Sequence, residues 1–512
     1  MTKSPLILPI AAFAVLAVGA CAGHSSAPDG GHGSGSGLGV SGESSGAVGS
    51  GGTTGDGSGG SGSAIGGDAT TQDEGSAGAP ADGGRVARTP IPSDPNCPAN
   101  VFTQATFVDL APPMLSPLDR SHGDPLPDGG TGTVPSGWNF YQIDGAVCRD
   151  GSANGIYVRY TSSTKLMIYL EGGGACSSPH FCDHNPANIF QVFSGGSLNG
   201  ESFAGSLLLQ AGLQAPYTTG IFDTSNAANP FKDYNQVYVP YCTGDVHFGT
   251  NDNAMMADGI LPTVMHQEHF VGYKNMQKFI GHLVPTFTNV DQVVLAGSSA
   301  GGFAAGLNYG MVQDAFGSVP VTGIDDSGPP FTDVKYLPAC LQKQWRDTFG
   351  FDGAFPSDCA ECKASDGSGL TNVVLYYHHK YPNAKFGLVS SVHDQIIRLF
   401  FAAGMNSCQT NDPNLLSGLG LQGGDVPSYP GPLFAMGLDS IRAQFVCTGA
   451  LSSYYIGTGD PDASDSNGSI DTLHEHIFRD RFYQPLAGAG QPTVAQWAAD
   501  LVGGKPVNQL GP

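Results

Sequence analysis

The sequence predicts an α/β protein: a mostly parallel central sheet flanked by helices, with disulfide-stapled insertions. Three observations carry this. First, short apolar runs recur at Lys165–Leu170, Gln236–Pro240 and Gln292–Ala296. Each is rich in β-branched or aromatic residues and closes on turn chemistry, as buried strands do. Second, the stretch His269–Leu283 between the last two runs carries Phe270, Tyr273, Met276, Phe279, Ile280 and Leu283 at helical spacing. Strand, helix, strand is the signature of a parallel sheet covered on both faces. Third, the chain has 11 cysteines, which in an exported protein favour disulfides over metal sites.

Other elements follow along the chain. Phe386–Ser390 is a fourth strand candidate, and Phe482-Tyr483 reads as a last strand or loop. A helix around Val494–Leu501 would use Trp497 to pack onto the body. Cys176 with Cys182, and Cys359 with Cys362, could close short loops. The remaining pairing is not readable, and Cys359-Ala-Glu-Cys362 could instead be a redox or zinc pair.

Not all of the 512 residues are expected to fold. Residues 1–21 read as an export signal. Lys3 supplies a positive start, Leu6 to Leu16 an apolar stretch too short to span a bilayer, and Val18-Gly19-Ala20-Cys21 a small-residue end. That ending resembles a bacterial lipobox, which would make Cys21 a lipid anchor. The alternative is ordinary cleavage near Ala20 or Ala22. Residues 22–95, dominated by Gly, Ser, Ala and Asp, cannot bury enough surface to offset ordering entropy and should form a flexible tether. Residues 96–512 then form one large domain. The net charge of −23 argues against nucleic-acid binding.

The strongest chemical signal is Gly297-Ser298-Ser299-Ala300-Gly301. It follows one apolar run and precedes a stretch, Gly302–Asn308, that can be helical. A strand, a Gly-x-Ser-x-Gly turn and a helix form the nucleophile elbow of the α/β-hydrolase fold, and Ser299 is the expected nucleophile. Ser298 should point away from the cleft.

A second signal, Glu171-Gly172-Gly173-Gly174-Ala175-Cys176, follows the first strand. Glycine backbone N–H groups beside a nucleophile make an oxyanion hole, each donor contributing about 3–4 kcal/mol. Gly173, Gly174 and Ala300 are the expected donors, with Glu171 anchoring the loop.

Serine needs a histidine base and a carboxylate to orient it, and this fold predicts the chain order Ser, Asp, His. Asp394 follows the fourth strand candidate and ranks ahead of Asp325 and Asp326. His474 and His476 are the late histidines, and spacing alone does not choose between them. The loop Asp460–Gly468 is rich in oxygen ligands but lacks the order of an EF-hand, so a solvated turn is the simpler reading.

These motifs together resemble the pectin acetylesterase/Notum family of carboxylesterases. Tyr169–Cys176 is similar to that family's oxyanion loop, Tyr241–Asp245 to its Tyr-Cys segment, Gly297–Gly302 to its elbow, Asp394-Gln395 to its acid and Leu473–Arg479 to its base segment. The resemblance implies Ser299 as nucleophile, His474 as base and Asp394 as acid. It implies no cofactor or metal. Members often carry Trp beside the glycine loop, where this chain has Gly174-Ala175, so acyl specificity is left open.

The expected function is an exported serine esterase, a cell-envelope lipoprotein or secreted monomer, that removes acyl groups from an ester substrate. Acetyl esters of polysaccharide such as pectin rank first. A fatty-acyl, Notum-like deacylase and a catalytically silent surface binding module are the alternatives. Membrane contact is expected only through Cys21.

Overall fold

The computed structural model describes residues 106–126, 134–183, 216–257, 263–405, 408, 429–448, 451–457, 474–487, 490–505 and 509–510. The export signal, Cys21, the tether and the Asp460–Gly468 loop lie outside the described residues.

The organising element is a nine-stranded sheet. In chain order its strands are β1 (Asn139–Val147), β2 (Ala153–Arg159), β3 (Lys165–Leu170), β4 (Asn235–Val239), β7 (Gln292–Ser298), β8 (Val321–Asp326), β9 (Lys385–Ser391), β10 (Leu451–Ile456) and β11 (Gln509–Leu510). They lie side by side as β1-β2-β4-β3-β7-β8-β9-β10-β11. From β4 to β11 every pairing is parallel, and β2 alone runs antiparallel to its neighbours. A separate hairpin pairs β5 (Asn251–Ala257) with β6 (Met265–Phe270).

Both faces of the central strands are buried, which explains their near-continuous apolar character. Along β3, Leu166, Ile168 and Leu170 join one core cluster, while Met167 and Tyr169 join the cluster on the other face. Helices cover the sheet: α1 (Pro179–Asp183), α2 (Gly272–Thr286), α3 (Ala300–Leu307), α4 (Tyr309–Phe316), α5 (Ala339–Phe349), α6 (Asn372–Lys380), α7 (Gln395–Ala402), α8 (Gly431–Thr448) and α9 (Val494–Val502). Thr493 and Gln496 form a capping box at the start of α9, and Trp497 is buried where that helix crosses Gly387 of β9. This is the α/β-hydrolase-like architecture, with the strand ends that carry the site at one edge.

The four anticipated strands are β3, β4, β7 and β9. The anticipated helix starts later than its periodicity suggests. His269 and Phe270 belong to β6, because ladder bonds to β5 and a bond from His269 N to the Arg149 carbonyl (2.9 Å) hold that stretch extended. The helix proper begins at Gly272. Phe482-Tyr483 lie in a 3-10 turn, Asp480–Tyr483, and not in a strand.

Four disulfides stand among the described residues: Cys148–Cys242, Cys176–Cys182, Cys340–Cys408 and Cys359–Cys362. Both short loops are closed. Cys148–Cys242 ties the end of β1 to the segment after β4.

Candidate active site

Ser299 follows β7 directly and caps α3, with φ 57° and ψ −121°. A non-glycine residue at positive φ is strained, at a cost on the order of 1–3 kcal/mol, and such strain clusters at functional sites. The turn is possible only because its neighbours lack side chains. A Cβ on Gly301 would stand 2.0 Å from the Leu170 carbonyl oxygen, and one on Gly297 would stand 2.1 Å from the Gly301 oxygen. The start of α3 is thereby pressed against the end of β3, which brings the elbow beside the glycine loop. A Cβ on Gly172 would stand 2.9 Å from Ser299 Cβ.

The glycine loop is clamped from below. Glu171 is buried, and its Oε2 accepts from Tyr241 N at 2.8 Å. The Glu171 carbonyl lies 2.9 Å from His247 Nε2, and the Tyr241 hydroxyl donates to the Gly174 carbonyl at 2.9 Å. Burial raises the Glu171 carboxyl to about 8, against the opposing hydrogen bonds of Tyr241, Tyr238 and Tyr217. Burial likewise pulls His247 down to about 4, so it stays neutral and donates to the carbonyl. Glu171 thus anchors the loop.

Asp394 caps α7. Its Oδ1 accepts from Ile396 N (3.0 Å) and Ile397 N (2.9 Å), which leaves Oδ2 to meet His474 Nδ1 at 2.7 Å. Both side chains are buried. A carboxylate at Nδ1 fixes the tautomer that presents Nε2 as the basic nitrogen. Burial pulls the His474 pKa down, but Asp394, with smaller help from Glu475 and Asp326, outweighs it, and the net shift is upward.

His476 has a different environment. It is buried, neither ring nitrogen has a hydrogen-bond partner among the described residues, and burial drives its pKa well down. The structure therefore pairs His474, and not His476, with Asp394.

Asp326 joins these parts and was not the residue expected to do so. Its Oδ2 accepts from Ser298 Oγ (2.8 Å), His476 N (2.6 Å) and Ile477 N (2.9 Å). Its backbone carbonyl accepts from Ser299 N at 2.7 Å. One residue at the end of β8 therefore holds both the elbow and the loop that carries His474. Ser298 is tied to Asp326 and to the Tyr169 hydroxyl (3.0 Å), away from chemistry as expected. Glu475, at φ 61°, brings the histidine loop over the glycines: a Cβ on Gly172 would also stand 2.9 Å from Glu475 Oε1.

Beside Ser299 opens a cleft that is partly open to solvent. Gly174, Ala175 and Ala300 stand with Ser299 on its wall, and Gly173 does not line it. The rest is mostly apolar: Phe303, Leu307, Leu337, Trp345, Phe351, Leu370, Val374, Ile397, Phe400 and Phe401. No sequence motif announces this cleft, because its walls come from β8, α3, α5, α6, α7 and the loops between them. Among the described residues, no group of three or more His, Cys, Asp or Glu is placed to hold a metal ion.

Comparison with known proteins agrees with this geometry. Residues 139–363 match the family model Pectinacetylesterase. The palmitoleoyl-protein carboxylesterase notum2 of Xenopus laevis is 32% identical over 189 residues, covering 35% of this chain and 34% of the relative. The palmitoleoyl-protein carboxylesterase NOTUM of Schmidtea mediterranea is 30% identical over 172 residues, 32% of this chain and 28% of the relative. That of Drosophila melanogaster is 25% identical over 226 residues, 42% and 31% respectively. The chain spans about a third of the length of the curated relatives it matches. With the elbow, the glycine loop and the parallel sheet in place, these matches show that the chain is similar, over residues 139–363, to the pectin acetylesterase/Notum family of carboxylesterases.

Proposed function

We propose that this chain is a serine carboxylesterase whose best substrates carry a medium or long acyl chain. The observation that carries the second half of this reading is the apolar cleft beside Ser299. Its lining of aliphatic and aromatic side chains suits a hydrocarbon chain, which has apolar surface to bury along it, better than a two-carbon acetyl group. Gly174 and Ala175 stand where family members often carry Trp, and the small pair leaves that wall open.

In the reaction Ser299 Oγ attacks the ester carbonyl while His474 Nε2 takes its proton. Asp394 stabilises the imidazolium and holds the ring. Backbone N–H groups of Ala300 and of the glycine loop, Gly173 or Gly174, receive the developing oxyanion. His474 then protonates the leaving alcohol, an acyl-enzyme remains on Ser299, and water activated by His474 releases the acid. No cofactor enters this scheme. The disulfides and the N-terminal sequence support export to an oxidising compartment, with Cys21 as the site of lipid attachment.

A series of p-nitrophenyl esters from two to sixteen carbons tests this. We expect kcat/KM to peak at eight or more carbons and turnover to vanish in Ser299→Ala. A peak at acetate would instead favour acetyl-ester hydrolysis, the reading suggested by the matching family model. Failure of Ser299 to label with a fluorophosphonate would favour a silent binding module.

A further inference from the structure

We propose that Asp325 is a specificity-determining residue of the acyl cleft, and that the preferred acyl group carries a hydroxyl substituent along its chain. The inference rests on the reading of the cleft as the acyl site. Asp325 lines the cleft with Ser299, Phe303 and Pro330, yet is only 1% exposed. Its Oδ1 accepts from Gly328 N at 2.8 Å. That is its one hydrogen bond among the described residues, so Oδ2 is left without a partner. Of the other polar groups away from the nucleophile, Thr371 already donates to the Phe331 carbonyl at 2.7 Å, while the Trp345 indole N–H is buried without a hydrogen-bond partner among the described residues. A carboxyl therefore stands among apolar walls with half of its hydrogen-bonding capacity unused.

Burial, reinforced by the neighbouring Asp326 charge, holds this carboxyl well above the usual carboxylate range. In the neutral form Oδ1 keeps the Gly328 bond and Oδ2 carries the proton. An unsubstituted hydrocarbon chain lying over this O–H would cut it off from water without offering it an acceptor, which is costly. An oxygen on the chain removes that cost. A hydroxyl fits better than an ether, because it accepts from Oδ2–H and can donate back. A site that hydrogen-bonds a substrate hydroxyl discriminates against the analogue lacking it more strongly than an apolar pocket discriminates by size.

The test compares p-nitrophenyl decanoate with a positional series of hydroxydecanoates on the wild-type protein, Asp325→Asn and Asp325→Val. We expect at least one hydroxyl position to raise kcat/KM about tenfold over decanoate in the wild type, the scale of one net hydrogen bond. Asp325→Asn, which still donates, should keep part of this preference. Asp325→Val should lose it. Good turnover of plain esters with no hydroxyl preference in the wild type overturns this inference alone. So does a preference that survives in Asp325→Val. No turnover of any ester overturns the esterase reading and this inference with it. The wild-type ratio decides even if Asp325→Val fails to fold.

Discussion

Asp325 and Asp326 are consecutive on β8, both buried, and they do different things because strand side chains alternate between faces. Asp326 accepts four side-chain hydrogen bonds, from Ser298, Ser327, His476 and Ile477, and so ties the elbow to the histidine loop. Asp325 accepts one, from Gly328, and borders the apolar cleft. One side of the site is a hydrogen-bond network centred on Asp326; the other is a mostly apolar wall on which the Asp325 carboxyl accepts a single bond. The comparison teaches that burial of a carboxyl says little by itself. What separates a positioning residue from a recognition residue is how many donors it already satisfies.

The largest expected effect lies on the polar side. Asp394→Asn should lower kcat by about ten-thousand-fold with little change in fold, since it removes the acceptor that orients His474. A loss below tenfold, read by steady-state kinetics, would break the assignment of Asp394.

The two neighbours can then be set against each other directly. Asp326→Ala strands several buried donors and should cost about 3 kcal/mol or more in denaturant unfolding, with loss of turnover. Asp325→Asn keeps an acceptor for Gly328 and should cost about 1 kcal/mol or less. Equal costs would erase the distinction between the two faces.

A further effect concerns the loop anchor. The Glu171 carboxyl is raised to about 8 in the folded protein by burial, whereas the unfolded chain ionises near 4.5. Between those values the unfolded state binds fewer protons, so stability falls as pH rises. The contribution is full below about 4.5 and gone by about 8. Glu171→Gln should flatten that part of the stability profile. An unchanged slope would show that Glu171 does not carry its proton there.

Much of this was legible in one dimension. Ser299 could be read because the elbow is a local device: strand, tight glycine turn and helix follow within a dozen residues, each with its own local signal. The runs that became β3, β4 and β7 were legible because burial on both faces leaves them apolar throughout. β8 and β10 were not, because Val321–Asp326 ends in two acids and Leu451–Ile456 contains buried Ser452 and Ser453. The Asp326 carboxylate that ends β8 is satisfied by distant partners that sequence does not reveal. Choosing His474 over His476 needed the family resemblance first, and the structure added the Asp394 contact that distinguishes them.

By itself, then, the sequence determined the fold class, the nucleophile elbow, the glycine loop and a short roster of acids and bases, because local chemistry and periodicity specify them. The tertiary structure decided which acid meets which base, which aspartate holds the site together, and which side chains wall the cleft beside Ser299. Those depend on contacts between residues 28 to 151 positions apart, such as Ser298 with Asp326 and Ile477 with Asp326. Only the closing of the sheet brings them together.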